Sequence, residues 1–311
     1  MKRPILVTGS HRSGTTWVGR MLCLSGEAGY LHEPFNPNRS PGWFPRPLPY
    51  WFMHICRENE TAYRADVERI LNFRYPFASS LVRSGPKDIA RQAPELGRGL
   101  VSRLRSRRAL LKDPLALFSA EWLTDSFDAQ VVVMIRHPAA FVGSIKRLNW
   151  GFDYERHWLG QPLLMEHLLV GHEAEYKGYV GEVDLVGEGI VMWNSMYEVV
   201  RGYRERHPNW SFVRYEDLAE EPLDGYRALY DALGLTWSER VAREVGASAS
   251  ESNPKEVPLH KRRAIRRDSK AAKATWLSRL TVQEIERVRM GTAAVAESFY
   301  GDEDWAAPAS S

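Results

Sequence analysis

VTGSHRSGTTWVGRML, residues 7–22, is an apolar run that ends at Gly9, crosses four residues to Gly14, and continues into an amphipathic stretch behind Thr15 and Thr16. With Pro4–Gly9 as a short buried strand, the order is strand, glycine-bracketed loop, helix. Glycines let the backbone turn tightly and approach a bound group. Amides at a helix start lack partners within the helix, so together they form a cradle for an anion. The Thr15 and Thr16 hydroxyls add donors. A Gly/Ser turn with a Thr cap is the plainer reading. It is disfavoured because this loop joins a strand to a helix.

The spacing is that of a Walker A loop, G-x-x-x-x-G-K-[ST], but Thr15 stands where the lysine belongs. Arg12 supplies a cation inside the loop instead. Phosphate binding is expected, and magnesium-dependent triphosphate hydrolysis is not. The strand expected at 130–136, QVVVMIR, ends in Arg136 rather than in an aspartate that could hold Mg²⁺.

Bulk properties agree with an ordinary soluble globular protein. The 311 residues are 44% hydrophobic and 26% charged, enough for a sizeable core. A net charge of +3 is too small to argue for nucleic acid, but suits an anionic small ligand if the positives are local. Cys23 and Cys56 make no disulfide framework and no metal set, which suits a reducing compartment. The histidines show no paired metal spacing, so no metal is expected. The apolar run near the N-terminus is too short for a signal peptide, and a cytoplasmic location is expected.

Strands are expected at 4–9, 29–34, 108–114, 130–136 and 211–218, and Val131–Ile135 lacks the alternation of a half-exposed strand. Helical periodicity marks Thr16–Leu24, Ala116–Ser126, Pro138–Arg147, Ile190–His207 and Pro222–Leu233. Strand-then-helix repetition implies an α/β, P-loop-like, three-layer fold with a parallel sheet between helices, as one domain over residues 1–300. Residues 301–311 are expected to be a frayed tail. Segments 41–56 and 149–179 are rich in aromatics and break the pattern. They are expected to be lid insertions over a ligand site. The first of them could also make a peripheral membrane contact.

A second anion site is expected at VVVMIRHPAAFVGSIKR. Arg136 lies at a strand's C-terminal end, where open parallel sheets bind ligands, and Ser144 follows eight residues later. Together they could hold a second phosphate by charge-assisted bonds.

These two motifs resemble those of the sulfotransferases that use 3′-phosphoadenosine 5′-phosphosulfate, and the carbohydrate-type branch most of all. Arg12, Ser13, Gly14, Thr15 and Thr16 match the loop that binds the 5′-phosphosulfate in that family; Arg136, Pro138 and Ser144 match its 3′-phosphate site. The family often has Asp where His137 stands. His11 and Trp17 fall within the same loop motif, SHRSGTTW. The resemblance extends to VRYEDL (213–218) and to RRDSKAAKATWLSRLT (266–281), a basic segment that in the family closes over the 3′-phosphate. Arg267 and Ser269 are its best candidates here. YLHEPF and LLKDP also match the carbohydrate branch.

The resemblance implies in-line sulfuryl transfer from this donor to a small-molecule or glycan acceptor, without a metal. Such a reaction needs a base for the acceptor and fixed positive charge for the leaving group. Glu33 is the first choice of base. His32 is the second, and strand alternation turns only one of the two toward the site. Arg12 and the loop amides would steady the sulfate, and Lys112 could touch it. Three other readings stay open: a P-loop kinase or nucleotide-triphosphate hydrolase, a non-catalytic adenine-nucleotide sensor, and a membrane-docking role for 41–56.

Overall fold

The computed structural model describes residues 2–39, 42–77, 86–181, 184–250, 252–254 and 268–306, with the backbone alone over 86–92. Five strands form one parallel sheet: β1 Ile5–Gly9, β2 Ala28–His32, β3 Arg108–Lys112, β4 Gln130–Ile135 and β5 Ser211–Arg214. Their order is β2-β3-β1-β4-β5. Val7 pairs with Lys112 on one side and with Val132 on the other.

Strand periodicity divides the interior into two cores. Leu6, Leu31, Leu111, Val131, Val133 and Ile135 face one cluster, built with the helices Pro138–Leu148, Leu185–Arg206 and Val282–Ala296. Ile5, Val7, Leu110, Val132 and Met134 face the other, built with α1 (Thr15–Leu22), Pro222–Leu233 and Glu239–Ala249. Neighbours in VVVM therefore serve opposite cores, and no polar alternation is possible. Burial of each of these side chains contributes about 1.5–3 kcal/mol.

The chain leaves β1 for β2, returns to β3 beside β1, then crosses to β4 on the other side. The order reverses at β1, so the loops after β1, β3 and β4 meet at one point on the C-terminal edge.

Several elements differ from expectation. The strand at 211–218 ends at Arg214, and Tyr215–Glu220 is a helix burying Tyr215, Leu218 and Ala219. The i, i+3, i+4 spacing of those residues is helical, although VRYE (213–216) alternates as a strand would. The helix expected at Ala116–Ser126 begins as a 3₁₀ turn, Pro114–Ser119, and becomes α-helical at Ala120–Phe127. Asp113 caps that turn by accepting from Leu115 N. In the described part of the expected tail, Asp302–Trp305 is a 3₁₀ turn and the Trp305 ring packs 4.5 Å from His137; residues 307–311 lie outside the described residues. The aromatics of the first insertion turn inward. Trp43, Phe44 and Phe52 are buried, which removes them as anchors for a bilayer. No described helix is long and apolar enough to cross a membrane.

Gly9 is where the sheet becomes the loop. Its φ is +130°, and an added Cβ would stand 2.2 Å from the Met134 carbonyl oxygen on β4. That neighbour is sheet backbone and cannot yield. Gly9→Ala is expected to destabilise the protein by about 3 kcal/mol or more. A fall in the urea midpoint would show it; an unchanged midpoint would mean that β1 and β4 do not approach this closely.

Candidate functional site

The loop after β1 follows the expected path. Arg12 and Gly14 have φ of +67° and +94°, both left-handed. Ser13 turns into the loop, its Oγ donating to Ser10 O at 2.5 Å, so it shapes the turn rather than facing outward. Gly14 is the N-cap of α1, and no side chain caps that helix. The first-turn amides, with Thr15 and Thr16, therefore border an open cavity. A Cβ on Gly14 would meet the Tyr215 ring at 2.6 Å, which places that aromatic against the loop.

The strand end after β4 meets this loop. Arg12 Nε donates to Ser144 Oγ at 3.0 Å. Arg136 is buried. Its guanidinium lies 3.3 Å from Glu216 Oε1, donates to Ala272 O at 3.0 Å, and covers the Tyr215 ring at 3.9 Å. Glu216 also accepts from His137 N and from Tyr300 OH. His137 stacks on Trp276. Burial, aided by the Arg136 charge, lowers its pKa to about 3. A neutral ring packs there.

One side chain joins the two loops. Tyr197 OH lies 2.8 Å from Ser10 Oγ and accepts from Arg136 N at 2.8 Å. It sits on the long helix Leu185–Arg206, whose Trp193 Nε1 donates to Arg136 O at 2.9 Å. Tyr197→Phe would leave the buried Arg136 N–H unpaired, at a cost of about 1–3 kcal/mol. Expected are a lower melting temperature and weaker anion binding together. Loss of stability with unchanged anion affinity would separate Tyr197 from the site.

Beside the loop, at the end of β3, stands Lys112, only 1% exposed and in contact with Glu33 Oε1. Asn36 Nδ2 donates to the other Glu33 oxygen at 3.0 Å, and Glu33 N donates to Lys112 O at 2.8 Å. Glu33 has a φ of +47°, a strained backbone for a non-glycine residue. Burial alone would raise its pKa, but Lys112 and His32, with the hydrogen bonds from Lys112 and Asn36, bring it down to about 2. Burial lowers the Lys112 pKa against the opposing pull of Glu33.

Glu33 borders the cavity; His32 does not line it. The His32 ring stacks on Tyr30 at 5.9 Å, with Nδ1 3.3 Å from the Tyr30 hydroxyl. The cavity measures about 230 Å³. His11, Arg12, Gly14, Thr15, Thr16, Trp17, Arg136, Ser144 and Ser269 line it together with Glu33 and Lys112. Ser269 Oγ lies 3.1 and 3.2 Å from the carbonyls of Ala219 and Ala249, a bond that closes the chain over the site. Trp17 Nε1 donates to Ser248 Oγ at 2.8 Å. Arg267 lies outside the described residues.

Trp150, Tyr215, Ser248 and Arg279 line the cavity without having been singled out in the sequence. Arg279 lies within the basic segment, which was the available signal for it. Both insertions reach the loop: the Phe52 and Trp150 rings each sit 5.8 Å from His11. Burial and the neighbouring Arg12 lower the His11 pKa to about 3, so the ring adds no charge. Among the described residues the lining carries Arg12, Lys112, Arg136 and Arg279 against the carboxylate of Glu33, with Glu216 paired to Arg136 behind it, an excess of positive charge that favours an anionic ligand.

Residues 4–239 match the model of the sulfotransferase family. No curated protein sequence matches the chain significantly. Among solved structures it is similar to the sulfotransferase domain of the Synechococcus PCC 7002 olefin synthase, at 16% identity over 97% of each chain and a TM-score of 0.46. It is also similar to sulfotransferase STF9 from Mycobacterium avium, at 16% identity over 96% of this chain and 76% of that one, TM-score 0.44. A third likeness is to mouse sulfotransferase SULT7A1 complexed with PAP, at 11% identity over 96% and 85% of the two chains, TM-score 0.45.

Proposed function

Because this chain belongs to the sulfotransferase family, we propose that it moves a sulfuryl group from 3′-phosphoadenosine 5′-phosphosulfate to a hydroxyl of a carbohydrate-type, glycolipid or natural-product acceptor, an amine being the less favoured nucleophile. The observation that carries this reading is the convergence of two cationic anion loops with a Lys112–Glu33 pair around one cavity.

The α1 amides, Thr15, Thr16 and Arg12 bind the 5′-phosphosulfate, and Arg136 with Ser144 binds the 3′-phosphate. Glu33 takes the acceptor proton as the acceptor oxygen forms its bond to sulfur. The bond from sulfur to the bridging oxygen breaks, and its electron pair stays on the 5′-phosphate, where Arg12 and the amides stabilise it. A carboxylate with a pKa of about 2 is always ionised at neutral pH, but it is a weak base. Lys112 is the cause and the remedy. A bound sulfuryl group draws the ammonium toward its own oxygens, and the carboxylate regains basicity as that cation withdraws. The base is thus strengthened when donor is present.

Incubation with donor and an acceptor panel tests this directly. Release of adenosine 3′,5′-bisphosphate together with a product gaining one SO₃ supports the reading. Tight bisphosphate binding with no transfer to any acceptor would favour the nucleotide sensor.

A further inference from the structure

Outside the donor cavity, His54, Cys56 and His167 come together, with one ligand atom of each within 4.8 Å of the others. They border a separate cavity of about 520 Å³. No spacing in the sequence announces them, since 113 residues separate the two histidines.

Their hydrogen bonds define the tautomers. His54 Nδ1 lies 2.7 Å from the Phe118 carbonyl oxygen. A carbonyl only accepts, so Nδ1 carries the proton and Nε2 the lone pair. His167 Nε2 lies 3.1 Å from Glu58 Oε1. The same logic puts that proton on Nε2 and the lone pair on Nδ1. The two lone pairs then face each other across 3.2 Å. Two neutral acceptors at that distance repel; a proton on one ring turns the contact into a hydrogen bond, and a metal ion bound beside the N···N line makes it favourable in the proton's place. Tetrahedral zinc with Zn–N bonds of about 2.0–2.1 Å separates two nitrogens by about 3.3–3.4 Å. The rings already stand near that separation, and each has the carbonyl or carboxylate partner that orients a metal-bound imidazole.

The third donor is held as firmly. His54 N donates to Gln161 Oε1 at 2.9 Å and Ile55 N to Ser119 Oγ at 3.0 Å. Cys56 N donates to Asn59 Oδ1, and Asn59 Nδ2 donates back to His54 O, both at 2.9 Å. The segment is preorganised by bonds that leave the thiol and both imidazole nitrogens available.

We propose that His54 Nε2, His167 Nδ1 and Cys56 Sγ bind one zinc ion, with water in the fourth position facing the cavity. The mixed nitrogen and sulfur set selects a borderline-soft ion such as zinc over magnesium or calcium. On binding, the Cys56 thiol releases its proton to solvent and the thiolate takes the metal. The ion ties the first insertion to the helix Pro162–His167 in the second. It acts as a staple between the two segments that cover His11, and takes no part in sulfuryl transfer.

The test uses the full chain without an affinity tag, stripped of metal, in competition with a chromogenic chelator for Zn²⁺ and in parallel titration with Co²⁺. The expected result is one zinc per chain and a cobalt spectrum with a thiolate charge-transfer band and tetrahedral d–d intensity. Cys56→Ser should remove the band and weaken zinc by about a hundredfold or more. His167→Gln alters an exposed side chain, so the fold should persist while zinc affinity falls similarly. Zinc should raise the melting temperature of the parent protein with rising free concentration, and of neither variant. Absence of stoichiometric zinc, a zinc affinity in both variants equal to that of the parent, or cobalt binding without the thiolate band would each overturn the site.

Discussion

Glu33→Gln is expected to slow sulfuryl transfer by about 10²–10⁴-fold while leaving the affinity for adenosine 3′,5′-bisphosphate nearly unchanged. The side chain lies at the cavity edge, and its contacts are Lys112 and Asn36 rather than either anion loop. Its loss therefore removes a proton acceptor and leaves the phosphate ligands in place. Glutamine keeps the shape and can still accept from Lys112, which limits the cost of a buried lysine without its counter-charge. Removing one partner of such a pair outright typically costs about 3–5 kcal/mol. A thermal melt must accompany the kinetics for that reason. Glu33→Gln with full turnover and a normal melt would remove Glu33 as base. His32 would then be next, although its ring stacks on Tyr30 and does not line the cavity.

Arg136→Met should weaken bisphosphate binding by about 10–100-fold, the worth of a charge-assisted bond to phosphate. The loss should exceed that of Ser144→Ala, which removes only a neutral donor. Arg136 is held by Glu216, Ala272 and the Tyr215 ring, so the guanidinium is already placed and little ordering is needed on binding. Methionine preserves the packed stem. The variant also frees Glu216, which keeps its bonds from His137 N and Tyr300 OH. Calorimetry gives the affinities, and equal losses in the two variants would argue against a direct Arg136 contact.

Much of the architecture was legible because buried parallel strands leave an unmistakable mark. ILVTG, RALLK and QVVVMI are short apolar runs bounded by turns, and they are β1, β3 and β4. The loop was legible because glycine at 9 and 14 is demanded both by a positive φ and by close neighbours, the Met134 carbonyl and the Tyr215 ring. Local pattern failed where two periods fit equally well, as at Tyr215–Glu220, or where a proline start tightened a helix, as at Pro114. At the start of the tail, Trp305 finds its partner at His137, far back in the chain, where no local pattern points.

The site was legible only in part, for the same reason. Residues next to a motif could be read from it. Tyr197 could not: it bridges Ser10 and Arg136 from the middle of a long helix whose sequence carries no sign of the loops. Trp150 lies in a segment read as a lid, but only the fold brings its ring to His11. Lys112 was read as an edge lysine that could touch the sulfate; its burial against Glu33 depends on the pairing of β2 with β3.

In the proposed reaction the two loops bind one ligand with phosphate at both ends. Calorimetric titration of the full chain with adenosine 3′,5′-bisphosphate, run beside ATP with Mg²⁺, tests it most directly. Bisphosphate affinity in the micromolar range or tighter, with ATP–Mg²⁺ much weaker, is the predicted result. A preference for ATP–Mg²⁺ would make the loop a triphosphate site without its lysine, and would contradict the assignment of Arg136 and Ser144 to a 3′-phosphate.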